Sequence, residues 1–179
     1  MLIQELTRPE CLDLLARARL GGLACSHENQ PYVVPTYFAY DNGHLYGFCT
    51  AGQKIEWMRA NPKVCVETDE VISPQQWVSV IVFGRFEELP NRPECLAARE
   101  YARSRLVQRS AIWWEPGYAK TTLHDTKGPP EPSFYRIHAV RITGRRAQPE
   151  TVTPRRTTPL MTVSSDKGWL QKILRPDRK

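Results

Sequence analysis

The densest grouping of polar and cationic chemistry in this 179-residue chain is Thr50-Ala51-Gly52-Gln53-Lys54. A hydroxyl, a glycine that lets backbone approach a ligand, the free N–H groups of a helix start and an ammonium one turn in would converge on one point. That set suits a phosphate dianion. Thr50 to Gln53 also has the T-x-x-Q form of a capping box, so a well-capped helix with a solvated lysine explains the same residues and is the simpler local reading. Two further positions bear on the choice. Pro35 stands inside the strand-like run Tyr32-Val33-Val34-Pro35-Thr36-Tyr37, where it cannot donate to a ladder; an edge or bulge there would leave backbone groups free for a planar polar ligand. Ser79 is the lone polar residue of Trp77-Val78-Ser79-Val80-Ile81-Val82-Phe83, facing either backbone or a ligand.

Other reactive side chains suggest less. His27, His44, His124 and His138 form no H-x-x-x-H or H-x-E pair, so no metal site is expected, although any one could ligate a haem. The five cysteines are scattered, with no C-x-x-C pair and no paired base. They speak against a disulfide framework or structural zinc and for a reducing cytoplasm. Trp113-Trp114 precedes a turn signal and could wall a pocket, from this subunit or a partner.

The elements that must position these residues are mostly strands. Thr7-Arg8-Pro9-Glu10 opens a first helix as a capping box with early proline, and Gly21-Gly22 is expected to end it. Strands are expected over 23–26, 32–40, 44–48, 63–67, 77–86 and 134–143, with a tight turn at Asp41-Asn42-Gly43. Helices are expected from Gly52 to Arg59 and from Pro93 to Gln108. The nearly unbroken apolar run from Trp77 predicts a strand buried on both faces. Hairpins with intervening helices and few βαβ signals indicate a mainly β, antiparallel barrel or curled sheet, with any sizeable pocket at a rim or a subunit seam.

Composition narrows the function classes. The net charge is +6, but residues 151–179 hold seven bases against two acids, so the body up to residue 150 carries only +1. A neutral body with a basic tail and no zinc finger, P-loop or RNP motif speaks against specific nucleic-acid reading. No run approaches about 18 apolar residues, so no membrane span is expected, and the opening residues do not read as a signal peptide. The body is expected over 1–147 and a Pro/Arg-rich tail over 148–179.

Taken together, 23–89 resembles the FMN-binding split-barrel family of pyridoxamine 5'-phosphate oxidase-like proteins, in its nitroimidazole-reductase-like branch. The order and spacing of Tyr32–Tyr37, Leu45–Thr50, Gly52–Ile55, Met58–Val64 and Trp77–Glu87 carry the resemblance. It implies a six-stranded split barrel working as a homodimer, with FMN at the subunit interface and a small-molecule substrate. Val33, Val34, Pro35 and Thr36 would face the flavin ring, Cys49, Thr50, Gln53 and Lys54 the phosphate, and Ser79 the ring from the central strand; Trp113 is added as a wall. The chain departs from the oxidase pattern at Gln53, where an arginine is common, and at Cys49, where many nitroimidazole-reductase-like members carry histidine. The implied activity is an FMN-dependent oxidoreductase. Haem or deazaflavin binding, or a flavin-binding sensor or interaction module, are the alternatives.

Overall fold

The computed structural model describes residues 1–108 and 132–150. Eight strands and three helices follow in the order β1 (Leu2–Glu5), α1 (Arg8–Arg17), β2 (Leu20–His27), β3 (Gln30–Tyr37), β4 (Ala39–Asp41), β5 (His44–Cys49), α2 (Gln53–Ala60), β6 (Lys63–Ser73), β7 (Gln76–Leu89), α3 (Leu96–Val107) and β8 (Ser133–Gln148). A short 3-10 turn, Pro93–Cys95, leads into α3. All strands belong to one antiparallel sheet in the order β3-β2-β6-β7-β8-β5-β4, with β1 added along β8. The sheet curls without closing, because β3 and β4 end the hydrogen-bonded path and do not pair with each other. The mainly β, split-barrel expectation holds, with eight strands instead of six.

Local chemistry accounts for the elements. Glu10 accepts hydrogen bonds from both the N–H and the hydroxyl of Thr7, each at 2.7 Å, and its second oxygen takes the Arg146 guanidinium, which pins α1 to β8. Asn42 (φ 46°) and Gly43 (φ 79°) make the tight β4–β5 turn that their residue types predict. Gly21 and Gly22 do not stop the helix, which ends at Arg17; they lie inside β2. A Cβ at Gly21 would sit 2.4 Å from the Glu67 carbonyl, so this glycine serves the close passage of β2 over β6. The expected strand 32–40 breaks at Phe38, whose N–H turns to the Arg19 carbonyl.

The central strand corrects a second expectation. Val80 and Val82 are fully buried, but Trp77, Ser79, Ile81 and Phe83 are only half-buried. Burial alternates because the inner face packs on Leu14, Leu15, Leu23, Val66 and Ile137, while no second layer covers the outer face among the described residues. A smaller core under α3 gathers Ala39, Tyr46, Leu89, Ala102, Leu106 and Phe134. Among the described residues no helix is long and apolar enough to cross a membrane.

Candidate functional site

β3 is an edge strand, as Pro35 predicts, and it carries no bulge: its ladder to β2 runs unbroken from Leu20 opposite Tyr37 to His27 opposite Gln30. Pro31 and Pro35 can keep that register only if their missing N–H positions point outward. Backbone polarity alternates along a strand, so Val33 shares that outward direction. The open rim of β3 therefore presents the Val33 N–H and C=O and the Pro35 carbonyl. The Val33 side chain is 64% exposed on the outer face. Val34 and Thr36 turn inward, and Thr36 is buried with its Oγ1 2.9 Å from the Tyr135 hydroxyl.

The second half of the site follows β5. Cys49 is the buried last residue of that strand, and Thr50, Ala51 and Gly52 form the turn into α2. The T-x-x-Q capping box does not form: Gly52 is the N-cap, its carbonyl accepting from the Ile55 and Glu56 amides, and no side chain caps the helix. The helix starts two residues later than the box requires, which places Gln53 first in the helix instead of third. The amides of Gln53 and Lys54 donate to no group among the described residues. A Cβ built on Gly52 would meet nothing within 4 Å, so the turn opens onto free space. Loss of the cap leaves the backbone donors at the start of α2 unoccupied among the described residues, with Thr50 and Lys54, both half-buried, on either side of them in sequence.

α2 is held firmly behind this turn. Ile55 and Met58 are buried, and Trp57 meets Tyr32 at 5.4 Å and His27 at 5.8 Å. Arg59 binds Glu88 of β7 through two bonds of 2.8 and 2.6 Å, and Asn61 donates to Ser26 of β2. Burial pushes the Cys49 and Cys25 thiols up, and in both the nearby Lys54 charge pulls the other way. The lysine field thus reaches the ends of β2 and β5 together. Cys49 is a neutral, buried thiol.

Ser79 lies apart from this group. Its hydroxyl donates to Glu67 at 2.7 Å on the outer face of β7. β7 is three strands from β3, which at about 4.8 Å per step is roughly 14 Å. Two outer-face grooves flank Phe83 and its covering Arg141. One, of about 590 Å3, is lined by Ala24, Ser26, Cys65 and Val140; the other, of about 560 Å3, by Trp77, Ser79, Ile81 and Arg145. Trp113 lies outside the described residues, as does most of the basic tail. No group of three metal-ligating side chains occurs among the described residues. His44 and His138 are engaged with each other, Nε2 to Nδ1 at 3.1 Å.

Sequence reasoning missed Tyr135. It is fully buried, burial pushes its phenol up, and the Thr36 hydroxyl opposes that rise. Its ring fills the space over Gly47, where a Cβ would come within 2.5 Å. A tyrosine ahead of a basic strand gives no local signal, because its partner is 99 residues away in sequence.

A curled antiparallel sheet with one open rim, and a donor-lined turn beside it, defines a split-barrel architecture. The family model described as pyridoxamine 5'-phosphate oxidase matches residues 7–146. The uncharacterized protein RA0666 of Rhizobium meliloti (strain 1021) is 40% identical over 147 residues, spanning 82% of this chain and 97% of that protein. A crystal structure from Mesorhizobium loti, described as a FAD-binding protein, is 42% identical over 83% of this chain and 100% of its own, with a TM-score of 0.68. A crystal structure from Bacteroides thetaiotaomicron, described as that of a putative 5-nitroimidazole antibiotic resistance protein, shares the fold at 17% identity over 82% of this chain and 89% of its own, with a TM-score of 0.58. The chain belongs to the pyridoxamine 5'-phosphate oxidase family.

Proposed function

We propose that this protein is a flavin-binding oxidoreductase acting on a small molecule, with FMN as the cofactor. The observation that carries the reading is the turn Thr50–Lys54, where the amides of Gln53 and Lys54 have no acceptor among the described residues, the Thr50 hydroxyl and Lys54 ammonium fall within the same five residues, and α2 packs on β3 through Trp57 and Tyr32. Those donors fit a phosphate ester, and the Val33 and Pro35 backbone groups fit the polar edge of a planar ring. Bound flavin supplies the hydride or electron chemistry. The chain's own residues hold the phosphate, fix the ring edge and keep water from the inner face.

The partner in this reading is a second copy of the chain. Ser79 lies three strands, about 14 Å, from the β3 rim within one protomer, and of the two outer-face grooves only the one past Phe83 reaches β3, at Pro31; in this reading a partner's outer face supplies the wall that one subunit lacks. The exposed Val33, Tyr37, Leu20 and Val140 support that seam. A second reading, FAD in place of FMN, is favoured by the Mesorhizobium loti protein, whose crystal structure is described as FAD-binding.

Visible absorbance of the purified protein, followed by heat release of the pigment and comparison with FMN and FAD standards, tests the proposal. A flavin spectrum is expected, with affinity falling about tenfold in Lys54→Ala, the loss of one charge-assisted contact. Colourless protein that takes up neither FMN nor FAD would refute it, and a red pigment would indicate haem.

A further inference from the structure

The two halves of the proposed site belong to opposite ends of the sheet path. The β3 rim sits at one end; β5, which delivers the phosphate turn, sits beside β8 near the other. No ladder joins β3 to β5 or β8, so backbone pairing does not set the width of the split. A side-chain bond does cross it: Thr36 Oγ1 to Tyr135 Oη at 2.9 Å, with Thr36 5% and Tyr135 1% exposed. Tyr135 lies opposite Gly47 in the β5–β8 ladder, two residues before Cys49, and its ring rests on the space that Gly47 leaves open. Phe86 backs the ring at 5.6 Å. Thr36 follows Pro35 on the rim itself. One buried hydroxyl pair therefore connects the strand that would meet the ring with the strand that would deliver the phosphate turn.

We propose that Tyr135 is a positioning residue for the cofactor: through Thr36 it fixes the spacing between the β3 rim and the Thr50–Lys54 turn. This rests on the flavin reading given above. Either hydroxyl can donate; in the buried split the Thr36 hydroxyl has only a long 3.4 Å contact to the Tyr37 carbonyl as a substitute, and the Tyr135 hydroxyl has none among the described residues. Losing one therefore frees the rim relative to the turn while leaving the ladders on each side intact. Tyr135 is 1% exposed and its hydroxyl is taken up by Thr36, so the role assigned to it is one of geometry and not of chemistry.

The test uses Tyr135→Phe, Thr36→Val, Thr36→Ser and the Tyr135→Phe/Thr36→Val double variant of the full chain, titrated with FMN and with FAD. Each single loss of the bond is expected to weaken flavin binding about tenfold and to shift the bound flavin's visible spectrum. The double variant should be no worse than either single one, and Thr36→Ser should restore both readouts. In cofactor-free protein, amide exchange should quicken along β3 but not along β6 and β7. Unchanged affinity and spectrum, additive losses in the double variant, or exchange that quickens across the whole sheet would each overturn the proposal. Should Tyr135→Phe fail to fold, Thr36→Val against Thr36→Ser decides alone. Should the wild-type protein bind no flavin, the flavin reading falls, and β3 exchange still reports whether the clasp sets the rim.

Discussion

Tyr135 and Arg136 are neighbours on β8, yet their side chains belong to opposite faces of the sheet and make opposite kinds of bond. Tyr135 points into the barrel and makes one neutral, water-free bond to Thr36. Arg136 points to the other face and grips Glu87 with two bonds of 2.8 Å; His138 Nε2 joins the same carboxylate, and His44 adds a further ring. The inward bond has no solvent to replace it: losing Thr36 strands the Tyr135 hydroxyl, and losing Tyr135 leaves Thr36 only a 3.4 Å contact to the Tyr37 carbonyl. The outward cluster has more charge and more bonds but is partly open to water, which screens it. Bond count is thus a poor guide to what each residue contributes, and burial is a better one.

The sharpest way to break this comparison is to crowd the inward side. Gly47→Ala puts a methyl into the Tyr135 ring and should destabilise by about 3 kcal/mol or fail to fold, read from the denaturant midpoint. Tyr135→Phe keeps the ring and leaves the Thr36 hydroxyl only its 3.4 Å contact to the Tyr37 carbonyl, with an expected loss of about 1–2 kcal/mol in the same measurement. On the outward side, Glu87→Gln should cost less, under about 1 kcal/mol, and 1 M salt should shrink that cost while leaving the Tyr135→Phe cost unchanged. If the outward substitution costs more than the inward one, the argument from burial fails.

Acid separates the two regions by sign as well as size. Hydrogen bonds from Arg136, then from His138, hold the Glu87 carboxyl down at about 2, against a partial burial that would raise it. A carboxylate depressed in the folded state contributes stability that is complete above its unfolded value of about 4.5 and is lost as pH falls toward about 2. Wild-type protein should therefore lose more melting temperature than Glu87→Gln between pH 5 and pH 3, a range set by that shift. Tyr135→Phe should follow the wild-type curve, displaced but parallel.

How much of this was readable beforehand depends on the range of the interaction. The α1 cap, the Asn42-Gly43 turn, the edge character given by Pro35 and the donor-rich segment at Thr50–Lys54 all rest on neighbouring residues, and the chain announces them. β1, the break that separates β4 from β3, and the long arms of β6 and β8 were not legible; they depend on strands and backbone groups distant in sequence. The misread Gly21-Gly22 is of the same kind: a glycine pair signals a helix stop locally, while here it answers to the Glu67 carbonyl of β6. The double burial expected from Trp77 onward fails for a related reason. An unbroken apolar run does not say which of its residues the sheet turns inward; here the pleat sends Val80 and Val82 to the core and leaves Ile81 and Phe83 half-buried.

The proline-studded rim of β3 has a consequence for the protein in a crowded solution. An edge strand is a template on which a stray chain can zip by backbone pairing, the first step toward fibrous aggregates. Missing amides at positions 31 and 35 leave gaps in that template. The opening that would let a cofactor in is thereby a poor seed for unwanted polymerisation.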